Sequence, residues 1–122
     1  MDSTYLFFKN ISKFEPQENK PEGEIHQDWT FFSYDKVHKT FAVREFHSEG
    51  FVNYYLMDTV KTSDNIFVFI SESSENAPPG MRARVTYVIK SENEFTETFD
   101  LAFSGKEFQE FLRNHWTRKK ND

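Results

Sequence analysis

Cysteine is absent from this chain, which excludes disulfide frameworks, thiolate zinc sites and cysteine nucleophiles together. Glycine is scarce, four residues against fifteen Phe, so much of the burial must come from rings. The longest apolar run, residues 66–70, is far too short to span a bilayer. The first residues, MDSTYLFFKN, carry no basic region ahead of an apolar stretch and no small-residue cleavage site. A cytoplasmic protein with no membrane partner is therefore expected. Positive charge is also short: the net charge is −5, and basic residues gather only at Arg118, Lys119 and Lys120. An acidic surface of this kind repels phosphate backbones, so no nucleic-acid partner is expected.

What the chain has instead is aromatic bulk, 18% of 122 residues with fifteen Phe. Such rings need a broad surface to cover them, and a pleated sheet is one. The length suits a single domain, 1–122, without internal repeat or linker. Residues 1–22 are the least regular part, with a short strand or helical turn ending before Pro16. Residues 15–23 are polar and read as a loop. Ile25, Trp29 and Phe31 then share one face of a strand, and Phe41 and Val43 resume after a five-residue loop, 35–39. Pairing Phe31 with Val43 and Trp29 with Glu45 keeps the apolar faces together. Ser48-Glu49-Gly50 places glycine where a three-residue hairpin needs a left-handed residue, which sets Glu45 opposite Asn53 and Val43 opposite Tyr55, whereas a two-residue turn would shift the pairing by one and put Val52, Tyr54 and Leu56 inward. Residues 66–70, apolar on both parities, predict a central strand covered on two sides. Ala83, Val85, Tyr87 and Ile89 alternate with polar neighbours, and so do Phe95, Phe99 and Leu101. If Ile89 pairs with Phe95, Tyr87 lies opposite Glu97. Residues 106–118 predict a helical turn leading into a short strand, and 119–122 form a charged tail.

Glu45, His47, Asn53 and Glu97 thus fall at inward parities, where an unpaired polar group costs several kcal/mol, on the order of a lost hydrogen bond or more. Either they form an internal network, as between Glu97 and the Tyr87 hydroxyl, or they orient a ligand. The ligand-binding set on the second reading is Trp29, Glu45, His47, Asn53, Tyr55, Arg84, Tyr87 and Glu97, with Arg84 or Arg82 supplying positive charge if the strand register turns it inward. His26, His38, His47 and His115 are too scattered to predict a metal set. No Gly-x-Ser-x-Gly elbow or phosphate loop is present, so binding is favoured over catalysis, and no catalytic residue or cofactor is assigned.

The stretch 46–53 (FHSEGFVN), then 75–80 (ENAPPG), 82–84 (RAR), 99–102 (FDLA), Gly105 and Phe108 resembles an uncharacterised lipocalin-like group similar to the calycin and fatty-acid-binding barrels. The resemblance spans about residues 25–118 but lacks the Gly-x-Trp signature of the first strand. It implies a mainly β fold, an antiparallel calycin-like barrel or curved half-barrel with at most one or two short helices. It also implies a cavity for a small apolar or amphipathic molecule. The alternatives are a small enzyme using a His/carboxylate pair in that cavity, a protein-interaction domain with a filled core, and self-association as a homodimer.

Overall fold

The computed structural model describes residues 5–16, 18 and 21–119. Eight strands follow one another: β1 (Tyr5–Phe14), β2 (Glu24–Asp35), β3 (Thr40–His47), β4 (Val52–Met57), β5 (Ile66–Glu75), β6 (Arg82–Ser91), β7 (Glu94–Ala102) and β8 (Gln109–Thr117). Each pairs antiparallel with the next, in the order β1 to β8, so the sheet is a meander that curls strongly into a half-barrel. The described residues contain no helix, and none that could cross a membrane. The core lies on the concave face, where Val43, Tyr55, Phe69, Ala83, Val85 and Tyr87 are buried against Phe32, Met57, Phe67, Phe95, Phe99 and Leu101.

Several registers follow from the pattern of residues. Glu45 pairs with Asn53 and Val43 with Tyr55, across a turn in which Gly50 takes φ 100° and donates its N–H to the His47 carbonyl (2.8 Å). Ile89 pairs with Phe95 and Tyr87 with Glu97. In β5, the neighbours Val68 and Phe69 are both buried although they point to opposite faces, as a doubly covered strand requires.

Three expectations are corrected. The β2–β3 turn spans four residues, not five, so Phe31 pairs with Arg44 and Phe32 with Val43. Asp35 causes this. Its Oδ1 accepts the N–H groups of Val37 (2.9 Å) and His38 (3.0 Å), and Lys39 closes the turn at φ 54°, leaving Asp35 itself paired with Thr40. Since side chains alternate, this one-residue slip moves Trp29 and Phe31 to the convex face. The N-terminal segment holds a ten-residue strand, β1. It shows no clean period because both faces carry rings: Phe8 stacks on Phe32 (5.6 Å) and Phe7 meets Phe31 (4.8 Å). Finally, β8 replaces the expected helical turn. A register shift opposite Phe99 and Asp100 adds Phe111 to the strand, so that Phe99 pairs with Leu112 and Asp100 with Glu110. An extra residue breaks the period of two and mimics helical spacing. Of the charged tail, 120–122 lie outside the described residues.

Gly80 and Gly105 separate two costs of a side chain. Both have positive φ, 79° and 75°. A Cβ on Gly80 would lie 3.0 Å from the Cβ of Ser104, whereas one on Gly105 would meet nothing within 4 Å. Gly105→Ala should therefore cost about 1 kcal/mol of left-handed strain, and Gly80→Ala about 2–4 kcal/mol once crowding is added. Urea melts of the two variants check this. Equal losses would show that Ser104 gives way freely.

Candidate functional site

With the register settled, the concave face divides along its length. Its apolar part borders an open hollow of about 1650 Å³ whose wall includes Phe8, Phe32, Phe69, Tyr87, Ile89 and Phe95. The hollow continues round the β1 side of the sheet, where Phe7, Phe31, Arg44 and Phe46 of the other face also line it. The remaining part of the concave face is polar. Antiparallel pairing sets Asn10 opposite Asp28, Asp28 opposite His47, Glu45 opposite Asn53 and Tyr87 opposite Glu97. Tyr87 belongs to both parts.

Of the eight residues expected from the sequence, six share this face: Glu45, His47, Asn53, Tyr55, Tyr87 and Glu97. Among the eight, Tyr87 is the one that borders the hollow. The expectation that Trp29 and Arg84 join them is corrected. Trp29 is convex, with the Lys9 ammonium 5.5 Å from its ring. Arg84 faces away as well, donating from Nε to Asp100 (2.9 Å) and lying over the Phe108 ring (4.5 Å). Asp28, Asn114 and Trp116 are additions. Asp28 was hidden by the register slip, and the β8 pair by the strand bulge.

The polar groups are incompletely matched. The Trp116 indole N–H donates to Glu97 Oε1 (3.1 Å), and the Asn114 amide does so more weakly (3.5 Å). The His47 imidazole stands 3.9 Å from Glu45 Oε1, an ionic contact too long for a hydrogen bond. Glu45 Oε1 and the hydroxyls of Tyr55 and Tyr87 are buried with no hydrogen-bond partner, at about 1–3 kcal/mol each if nothing satisfies them. Tyr55 is 0% exposed and Glu45 7%.

Electrostatics reflect this crowding. Burial pushes the Glu97 carboxyl up, and the neighbouring charges of Glu45 and Asp28 add to it, while Trp116 and Asn114 oppose the rise. Burial likewise raises Asp28, partly offset by the Asn10 amide. Burial holds both tyrosine hydroxyls well above their usual range, helped by Glu45 at Tyr55 and by Glu97 and Glu45 at Tyr87. For His47 burial acts downward, but Glu45, Asp28 and Glu49 together reverse it and raise the imidazole.

The fold and this face define a class: an open β half-barrel with an amphipathic concave surface. No family model matches the chain, and no curated protein and no solved structure matches it either.

Glu97 gives a pH test. Its folded-state pKa lies above the ordinary 4.5, so the native state binds more protons than the unfolded chain in that window. Its contribution to stability is therefore complete below about pH 4.5 and lost as pH rises through the raised value. Glu97→Gln keeps an acceptor for Trp116 without the charge. Thermal melts from pH 4.5 to 8 should show a flatter profile in this variant, with Tm about 2–5 °C above the parent at pH 8. Parallel profiles would contradict the assignment.

Proposed function

We propose that the half-barrel binds a small amphipathic molecule, its apolar portion in the hollow and its polar end against Tyr87, Glu97 and Glu45. The observation that carries this reading is a group of buried concave-face oxygens without partners, Glu45 Oε1 and the Tyr55 and Tyr87 hydroxyls, of which Tyr87 borders the apolar hollow. A ligand end that donates hydrogen bonds would complete them. The resemblance to lipocalin-like barrels supports the same use. The hollow favours binding over a filled-core interaction domain. The His47–Glu45 pair at 3.9 Å is what favours the alternative of general acid–base chemistry.

The sign of the charge refines the ligand. Among the described residues, Asp28, Glu45 and Glu97 share the face with two histidines, His26 and His47, the second raised in pKa. Arg82 and Arg84 are engaged elsewhere, over Phe108 (4.8 Å) and on Asp100, while Arg44, over Tyr54 (4.5 Å), lines the hollow from the convex face and Lys36 from the β2–β3 turn, both away from this polar end. An anionic head group would thus meet carboxylates, whereas an amine would meet acceptors. A fatty acid is the poorer fit.

Calorimetric titration with decylamine and with decanoate separates these cases. Decylamine should bind at least tenfold more tightly. Glu97→Gln and Tyr87→Phe should each weaken it by about tenfold, about 1.4 kcal/mol. Tyr87→Phe should at the same time leave Tm unchanged or higher, because it removes a buried hydroxyl that has no partner. Tighter binding of decanoate, or a Tyr87→Phe variant that loses stability but no affinity, would refute the reading.

A further inference from the structure

We propose that His26, Asp28 and His47 form a binding site for a divalent transition-metal ion of the zinc class, at the polar end of the concave face. His26 and Asp28 are two residues apart on β2 and so share a face, and His47 of β3 lies directly opposite Asp28. One ligand atom from each falls within 4.8 Å of the others. The two imidazole centroids are 5.6 Å apart, and His26 Nε2 is 3.7 Å from Asp28 Oδ2. Ligands around a tetrahedral ion with bonds of about 2.0 Å stand about 3.3 Å apart. Side-chain rotations of about an ångström would therefore close this set on an ion.

The neighbours are arranged as metal ligands require. The His26 Nδ1–H donates to the Glu49 carboxylate, which fixes the ring and leaves Nε2 directed to the shared space. Asp28 Oδ2 accepts the Asn10 amide (3.2 Å), so it too is held by an outer partner. Glu45, buried and with Oε1 unpartnered, stands against His47 and supplies a further negative charge beside the set. All three ligands are half-buried, His26 at 26%, Asp28 at 13% and His47 at 17% of their side-chain surface, open enough for an ion to enter. Two nitrogens and one carboxylate oxygen suit Zn²⁺, Co²⁺ or Ni²⁺, whereas Ca²⁺ and Mg²⁺ prefer oxygen alone. A three-residue set leaves a coordination position for water or an outside ligand. This inference rests on the ligand atoms of β2 and β3 and stands whether or not an amphiphile binds in the hollow.

The test is calorimetric titration of the full chain, freed of metal with a chelator and then exchanged out of it, with ZnCl₂ and in parallel with CaCl₂. One equivalent of Zn²⁺ should bind with Kd in the micromolar range or tighter, with no comparable Ca²⁺ binding, and Co²⁺ should give the visible spectrum of a tetrahedral site. His26→Gln and His47→Gln should each weaken Zn²⁺ at least tenfold, and His38→Gln and His115→Gln, at exposed histidines on Asp35 and Glu94, should not. The Zn²⁺-induced shift in Tm is read within each variant against chelator, so a loss of stability common to both conditions does not imitate loss of the site. No stoichiometric binding, or binding that survives both His26→Gln and His47→Gln, would overturn the proposal.

Discussion

The geometry of this protein depends on one turn. Asp35 accepts two backbone N–H groups and so holds residues 36–39 as a four-residue connection between β2 and β3. In a two-sided strand the length of the turn decides which side chains face inward. Here it turns Asp28, Thr30 and Phe32 into the concavity and sends Trp29 and Phe31 out. The Tyr54 hydroxyl (3.2 Å) and His38 Nδ1 (2.9 Å) donate to the other oxygen of Asp35. The His38 backbone N–H first, then the His38 ring, with Tyr54 and the Val37 N–H adding less, bring its carboxyl down to about 2, so the turn is held by an ionised group across the ordinary pH range.

From that register the amphipathic division follows. Rings of β1, β2, β5, β6 and β7 build the apolar wall, and the polar face runs from Asn10 through Asp28, Glu45 and Glu97 to Trp116. A sheet that needed only a core would place aliphatic side chains where Tyr55, Tyr87 and Glu45 stand, because an unpartnered buried oxygen is a net cost to folding. That cost is what the proposed binding role would offset. Arginine placement strengthens this division, since Arg82 and Arg84 lie over Phe108 on the convex face and leave the concave carboxylates to histidine and to neutral donors.

Much of this was legible in the residues. Alternation from Ala83 to Ile89 defined β6. Gly50 located a hairpin, and the pairing of Tyr87 with Glu97 followed from counting parity. Two of the three failures share a cause, local features that shift register by one, and the third, β1, was hidden by rings on both of its faces. Nothing in hydrophobicity distinguishes Trp29 outward from Trp29 inward when Phe31 and Phe32 are adjacent and both faces of β2 carry rings. The capping preference of Asp35 was the available signal, since Asp commonly bonds the N–H two residues on. The extra residue Phe111 likewise made β8 read as helical. The His26–Asp28–His47 grouping is a consequence of the first slip, invisible until Asp28 faces His47.

The most direct measurement is a ¹H–¹⁵N correlation spectrum of the two indole N–H groups during titration with decylamine. Trp116 donates to Glu97 on the concave face and stacks on Phe95 of the hollow (6.2 Å), whereas Trp29 lies on the convex face near Lys9. The account predicts that the Trp116 resonance moves with saturation and that Trp29 stays in place. Movement of Trp29 with Trp116 unchanged would put the binding surface on the other side of the sheet and contradict it.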